Sequence, residues 1–129
     1  MYKIEKTSYG VKIIFGDVIV KSEMMNWLSE SQKIVETLSN KFGVLVDMRE
    51  LLPLTAESQT ILQEGQKLYK EKGMERSVVI LNSPILTMQF KRLAKETGIY
   101  AFERYIDSSK NSDWEAMAKE WIVNATDTD

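Results

Sequence analysis

The sequence predicts an α/β domain built on one mixed sheet, with its elements in the order ββαβαβαβα. The first supporting observation is an alternation of apolar and polar residues near the start of the chain. The second is a pair of uninterrupted apolar runs, at 44–46 and 78–81, which are typical of strands covered on both faces. The third is the helical spacing of apolar residues between the strands, which predicts crossover helices.

An N-terminal β-hairpin is predicted first. Residues 2–6 and 11–15 each alternate apolar with polar side chains. Tyr9-Gly10 supplies the turn between the two arms, and Gly16-Asp17 ends the second arm.

The first helix follows this hairpin. Ser22 is its expected N-cap, because a hydroxyl can accept a backbone N–H at the start of a helix. Met24, Trp27 and Leu38 belong to an apolar stripe at helical spacing. Residues 40–43 are expected to end the helix and lead into the first buried strand.

A second helix is predicted from Thr55, as N-cap, to about Lys72. Gly65 lies in its middle, where glycine costs about 1 kcal/mol relative to alanine. We therefore expect Gly65 to mark a close approach of this helix to the sheet.

The second half of the chain continues the alternation of strands and helices. Ser83-Pro84 is typical of an N-cap and first turn, and Gly98 ends this third helix. Residues 100–106 alternate and predict a strand near the edge of the sheet. Ser112 with Glu115 matches a capping box and predicts the start of the last helix.

Composition limits the chemistry that the chain can perform. It has neither cysteine nor histidine, which excludes thiolate catalysis, a Ser-His-Asp triad, disulfides and the commonest metal sites. No Gly-rich phosphate loop follows any predicted strand. We expect no cofactor and no enzymatic activity. A carboxylate pair such as Asp47 with Glu50 is the weaker, enzymatic alternative.

Charge and hydropathy limit the partners. The formal net charge of −2 argues against a nucleic-acid binder. No segment approaches the roughly 20 apolar residues of a membrane span, and the first residues lack a signal-peptide pattern. We expect a cytoplasmic protein without stable membrane insertion. Its single domain is expected over residues 1–124, followed by a polar, frayed tail over 125–129.

The segment after the first buried strand is the candidate site, because open α/β sheets bind ligands where strands end. It contains Arg49, Leu51, Leu52 and Leu54. The leucines either fold back over the end of the sheet as core or form an exposed contact patch. Arg49 is either solvated, with Asp47 capping the loop, or presents its guanidinium to a carboxylate or phosphate.

Thr55 and Ser58 extend this candidate site into the second helix. Thr55 is expected to cap the helix, and a phosphorylation switch at Thr55 or Ser58 is the functional alternative. A phosphate there would place roughly 1.5 to 2 negative charges beside the leucines, and so could repel or recruit a partner.

The element order and several local strings resemble the STAS fold. Within that fold the chain is most similar to the SpoIIAA-like group, which is related to the Sec14/CRAL-TRIO lipid-binding domains. The resemblance covers nearly the whole chain and rests on diffuse motifs. These are Phe15-Gly16, Val46-Asp47-Met48-Arg49, Tyr69 through Gly73, Gln89-Phe90, Glu103-Arg104-Tyr105-Ile106 and Trp114-Glu115 with Trp121-Ile122.

The resemblance implies a regulatory module that docks a protein partner through the loop after the central strand and the following helix. Anti-sigma-factor antagonists of this fold carry an Asp-Ser-Ser-Gly-like motif whose second serine is phosphorylated by a partner kinase. Residues 55–58 occupy the corresponding stretch, with Glu57 at the phosphoacceptor position and Ser58 beside it. One interpretation is that Glu57 serves as a permanently charged stand-in.

A small-ligand or lipid-binding module is the alternative function. Its pocket would lie between the sheet and the helices that carry Met24, Trp27 and Tyr69. The sequence leaves the oligomeric state open, and a dimer is compatible with it.

Overall fold

The apolar runs and amphipathic segments fold into a five-stranded sheet with four helices in the computed structural model, which describes residues 1–129. The strands are β1 (Tyr2–Lys6), β2 (Gly10–Asp17), β3 (Phe42–Leu51), β4 (Met74–Leu81) and β5 (Glu103–Asp107). The helices are α1 (Lys21–Val35), α2 (Ala56–Glu71), α3 (Pro84–Thr97) and α4 (Trp114–Asn124), with a 3₁₀ turn at Tyr100–Phe102.

The sheet is mixed and its spatial order is β1-β2-β3-β4-β5. β1 and β2 are antiparallel, whereas the three pairs from β2 to β5 are parallel. The predicted α/β class with an N-terminal hairpin is therefore confirmed. From β2 to β5, each strand lies beside the strand that precedes it in the sequence, always on the same side. Because crossovers between parallel strands are right-handed, α1, α2 and α3 all lie on the same face of the sheet.

Strand β3 occupies the centre of the sheet and is buried along most of its length, as its unbroken apolar run predicts. Every residue from Phe42 to Met48 is buried. Val44 and Val46 face the layer of α1, α2 and α3, whereas Leu45 faces α4. Burial on both faces explains why this strand lacks the polar alternation of the hairpin.

Helix α4 covers the second face of the sheet. Its Trp121 donates a hydrogen bond from Nε1 to the carbonyl of Ser77, at 2.9 Å. Arg76 donates from Nε and Nη2 to the Ile122 carbonyl, at 3.1 and 3.0 Å. The resulting cluster has seven buried members, against 24 on the opposite face: Leu45, Val78, Ile80, Ile106, Ala118, Trp121 and Ile122.

Two predicted helix starts are confirmed and two are wrong. Thr55 and Ser83 each accept a backbone N–H at their helix starts. Helix α1 instead starts at Lys21, one residue before the predicted cap Ser22, and Glu23 accepts the Val20 N–H at 3.4 Å. It also ends at Val35, before residues 40–43.

The predicted capping box of Ser112 and Glu115 does not form. Asp113 occupies the N-cap position of α4 and makes no side-chain cap hydrogen bond. The preceding turn is held instead by Asn111, which donates from Nδ2 to the Asp107 carbonyl at 2.9 Å. Glu115 pairs along the helix with Lys119, at 3.9 Å.

The edge strand is shorter than predicted. Residues 100–102 form the 3₁₀ turn, and the strand begins at Glu103. The Phe102 N–H donates to the Ile99 carbonyl at 3.2 Å, which is the i to i+3 hydrogen bond of a 3₁₀ turn.

Gly65 marks a close approach, but its neighbour is a helix side chain and not the sheet. A Cβ atom at Gly65 would lie 2.1 Å from Cη2 of Trp27 in α1. Trp27 contacts Phe15 edge-on, with ring centroids 5.3 Å apart, and stacks on Tyr69 at 6.2 Å. The indole is therefore held between aromatic neighbours and cannot easily move aside.

We predict that Gly65→Ala lowers the free energy of unfolding by about 2 kcal/mol, because overpacking against Trp27 outweighs the better helix propensity of alanine. Urea unfolding followed by circular dichroism measures the change. Glu64→Ala, at an exposed position of the same helix, is the matched control and should be close to neutral. An increase in stability for Gly65→Ala would contradict the close packing.

Candidate functional site

The loops after β2, β3 and β4 lie together at the carboxyl ends of these strands, because the strands are parallel. We call this end of the sheet its carboxyl edge, as distinct from the edge strands β1 and β5. The backbone N–H of Leu52 donates to the Asp17 carbonyl at 3.2 Å and so ties the first two loops together. Gln89 of α3 accepts the Leu54 N–H at 3.4 Å, while Gln59 donates to the Leu54 carbonyl at 3.0 Å. The candidate loop is thus anchored to its neighbours on both sides.

The three leucines divide between the two interpretations open from the sequence. Strand β3 continues through Leu51, so Arg49 and Leu51 belong to the strand and not to the predicted loop. Leu51 and Leu54 are only 4% and 7% exposed and belong to the core. Leu52 is 53% exposed. Of the predicted leucine patch, only Leu52 is therefore available to a partner in this conformation, and the other two hold the loop down.

Leu52 is joined at this edge by large apolar side chains that the sequence reasoning missed. Each of them is more than half exposed, although such side chains are usually buried. We call this set the apolar rim: Val18, Val20, Leu52, Ile85 and Met88, which are 51% to 73% exposed. Their common signal in the sequence is a position just after a strand and before, or in the first turns of, a helix.

Arg49 lies on the α4 side of this edge, and its side chain is 40% exposed but already paired. Its Nε and Nη2 donate to the two carboxylate oxygens of Asp47, at 3.0 and 2.9 Å. Its guanidinium carbon also lies 4.4 Å from the ring centroid of Trp114. One fork of the guanidinium is therefore occupied by Asp47, and its planar face rests on an indole.

Asp47 is held as a carboxylate by this pair. Burial opposes its ionisation, but the side-chain and backbone hydrogen bonds from Arg49, with the charge of that residue, outweigh burial and lower the pKa of Asp47. Glu50, the other member of the carboxylate pair considered for an enzyme, is exposed. The two acids have different environments and do not share a proton or a substrate position.

The hydroxyl groups at the start of α2 have distinct roles. Thr55 is exposed, and its Oγ1 accepts the Ser58 N–H at 3.3 Å. Ser58 is fully buried and donates its hydroxyl to the Ile19 carbonyl at 3.4 Å. Glu57 projects outward beside Lys21, with Nζ to Oε2 at 3.7 Å. A kinase could reach Thr55 in the folded protein but not Ser58.

A small cavity lies between the sheet and the layer of α1, α2 and α3. Trp27 and Tyr69 line it, as the sequence-based ligand hypothesis expected, whereas Met24 does not. Its volume is about 40 Å³, which exceeds the roughly 10–15 Å³ that one water needs but is far below the volume of a lipid chain. Nε1 of Trp27 is buried and has no hydrogen-bond partner.

Glu103 forms the polar end of this cavity together with Ser77. Its carboxylate accepts hydrogen bonds from the Ser77 hydroxyl at 2.9 Å and from the Tyr105 hydroxyl at 2.5 Å. Burial raises the pKa of Glu103 to about 7, against the opposing effect of these two donors. A carboxyl on an alternating edge strand is expected to face water, so the sequence reasoning did not single it out.

The geometry points to no metal site, since no cluster of three or more acidic side chains is positioned to hold an ion. None of the helices has the length and apolar character needed to cross a membrane. No protein-family model matches the chain, and neither does any curated protein. The site must therefore be interpreted from its own residues.

We predict that Glu103 makes stability fall as pH rises. Its pKa is about 7 in the folded protein, against an ordinary value of 4.5, so the folded state binds the extra proton between these values. The free energy of unfolding should therefore decrease from pH 5 to pH 8, by an amount on the order of 3 kcal/mol.

Urea unfolding at several pH values tests this dependence. Glu103→Gln should flatten the profile because the amide does not titrate, whereas Glu71→Gln, at an exposed position on α2, should leave the wild-type slope intact. If Glu103→Gln kept the full slope, the dependence would belong to other groups.

Proposed function

We propose that this chain is a non-enzymatic regulatory module of the SpoIIAA-like type, which docks a protein partner at the carboxyl edge of its sheet. The observation that carries the proposal is the apolar rim of Val18, Val20, Leu52, Ile85 and Met88. Exposed apolar side chains that cluster at one edge are typical of interaction surfaces in proteins of this size. The proposed setting is the cytoplasm.

The anchoring of the loop supports a preformed docking surface. Leu51 and Leu54 are buried and the Leu54 backbone is bonded to Gln59 and Gln89, so Leu52 is held outward by its neighbours. A preformed surface loses little conformational freedom on binding. The rim can therefore convert its apolar area into affinity more efficiently than a mobile loop could.

The charged groups near the rim support a binding role over a catalytic one. Asp47 is neutralised by a bidentate pair with Arg49, and Glu50 stands apart in solvent. The two acids therefore do not form the shared carboxylate pair that was considered for acid–base catalysis. These groups fix the end of β3 and leave recognition to the apolar side chains.

The architecture supports the STAS part of the proposal, since it combines a mixed sheet, an N-terminal hairpin and crossover helices. Residue 57 is an exposed glutamate where the resemblance expects the phosphoacceptor, and Ser58 is buried. Regulation by phosphate would then fall on Thr55, where the added charge would disfavour an apolar partner at Leu52.

We predict that Leu52→Asp abolishes capture of the partner without unfolding the module, because the residue is exposed and a carboxylate cannot be buried in an apolar contact. A pull-down from the source cells, read by mass spectrometry, measures the loss. Val123→Asp is the matched control, since Val123 is 57% exposed but lies on α4. Equal recovery of the same proteins by both variants would rule out the rim as the docking surface.

A small-ligand module is the second candidate, and the cavity beside Trp27 favours it. The unpartnered Nε1–H of Trp27 would bond to a ligand that carries one acceptor atom. Twelve of the fifteen lining residues are hydrophobic, so the rest of the ligand would be apolar. The volume of about 40 Å³ restricts it to a very small molecule unless the helices move.

We predict that, if this second function holds, a short alcohol such as ethanol binds wild type more tightly than Trp27→Phe, which lacks the N–H donor. Native mass spectrometry reports binding to both proteins. A change in Trp27 fluorescence reports binding to wild type only, because the variant lacks this indole. A bare polypeptide mass for wild type at every alcohol concentration, with unchanged emission, would count against a ligand in the cavity.

A further inference from the structure

Strand β5 forms one of the two edges of the sheet, and a groove runs beside it. Lys91 of α3, Tyr100 of the 3₁₀ turn and Tyr105 of β5 line one part of this groove. The other part is lined by Ala101, Glu103, Arg104 and the segment 128–129. We call this the edge groove; its volume is about 310 Å³. It adjoins the apolar rim at Met88, which lines a neighbouring pocket together with Lys91 and Tyr105.

Three cations lie on aromatic rings in this region: Lys91 and Arg104 line the edge groove, and Lys95 lies one helical turn beyond Lys91 on α3. Nζ of Lys91 lies 5.5 Å from the ring centroid of Tyr105, and Nζ of Lys95 lies 4.8 Å from that of Tyr100. Arg104 rests on the Trp121 ring, with its guanidinium carbon at 4.1 Å. Neither lysine has a carboxylate within ion-pair distance, so both charges remain available to an anionic ligand.

Arg104 is preorganised for a carboxylate. Its Nη1 donates to the carbonyls of Ala101 and Glu103, each at 3.1 Å, which fixes the plane of the guanidinium. Nε and Nη2 then point outward and bind the two oxygens of Asp127, at 3.0 and 3.2 Å. Bidentate binding of this kind distinguishes a carboxylate from a single-point anion.

The acidic segment Thr126–Asp129 reaches the groove through a specific chain reversal. Ala125 ends α4 in the left-handed conformation, with φ of 56°, which a residue with a Cβ rarely adopts. The Ala125 and Thr126 N–H groups donate to the carbonyls of Trp121 and Glu120, each at 3.1 Å. These bonds hold the reversal and direct the segment toward β5 instead of into solvent.

We propose that Arg104 and the lysines beside it bind an acidic, extended peptide segment of a partner protein along the edge groove, and that Thr126–Asp129, which holds Arg104 and forms one wall of the groove, is an exchangeable internal competitor. The internal segment shows the chemistry of the occupant: aspartates alternate with threonines, and one aspartate meets the fork of Arg104. Lys91 lines the same groove and Lys95 lies one helical turn beyond it, and neither is ion-paired, so both offer positive charge to further carboxylates of a longer peptide. Because the competitor is in the same chain, its high effective concentration sets a threshold for the external peptide.

This inference does not rest on the proposed docking function, because its central contact joins Arg104 to Asp127 and neither residue belongs to the apolar rim. The chain as a whole is acidic, with a net charge of −2, so the cations along this edge are a local feature and not a reflection of overall charge.

Fluorescence anisotropy with a labelled peptide of repeated Thr-Asp units tests the proposal. We expect the double variant Asp127→Asn with Asp129→Asn to bind the peptide at least fivefold more tightly than wild type, because its internal competitor is neutralised. Binding should weaken as salt is raised. In the double-variant background, Arg104→Gln should reduce affinity at least tenfold.

Controls separate recognition from unfolding. Lys91→Gln with Lys95→Gln, made in the double-variant background, changes cations that form no ion pair and should also weaken binding, so the proposal stays testable if Arg104→Gln fails to fold. Lys119→Gln, on the far side of α4, should have no effect. Absence of peptide binding by the double variant would overturn the proposal. Displacement of the peptide by inorganic phosphate at equal charge concentration would reduce the groove to an anion site and also overturn it.

Discussion

The burial of β3 on both faces is the constraint from which the rest of the structure follows. Seven successive residues from Phe42 to Met48 are withdrawn from water, so both faces of the central strand must be covered. Helices α1, α2 and α3 cover one face because crossovers between successive parallel strands have the same hand. Helix α4 covers the other face. Asp47 is drawn into this buried stretch, and its charge is tolerated because Arg49 and the Arg49 backbone N–H satisfy it.

Features set by local sequence were predictable. The apolar runs located β3 and β4, and hydroxyl caps located the starts of α2 and α3, because these signals act within a few residues. Ser112 failed as a cap although its pattern was complete, since the turn before α4 is held by Asn111 and Asp107. A capping pattern shows that a side chain can accept a hydrogen bond. Whether the backbone N–H groups of the first helical turn lie within reach depends on the path of the chain before the helix.

Features set by distant contacts were not predictable. Leu51, Leu52 and Leu54 are chemically alike, and their exposure depends on distant partners: Leu51 pairs with Asp17 in the sheet, and Gln59 and Gln89 hold the Leu54 backbone. Gly65 was recognised as a packing position, but its partner Trp27 lies on another helix. Glu103 alternates like an exposed strand residue, yet Tyr105 and Ser77 enclose it. Each of these outcomes depends on residues that are far apart in the sequence.

Helix α4 is only eleven residues long but contacts arginine side chains from three strands. Three arginines from three different strands are immobilised by it: Arg49 on Trp114, Arg104 on Trp121, and Arg76 on the Ile122 carbonyl. Detachment of this one helix would therefore remove one contact from each of the three guanidinium groups and expose Leu45, whereas Asp47 would still hold Arg49 and the Ala101 and Glu103 carbonyls would still hold Arg104. All the cover that the second face of the sheet has in its buried cluster comes from these eleven residues, so we expect hydrogen exchange along that face to follow the docking of α4.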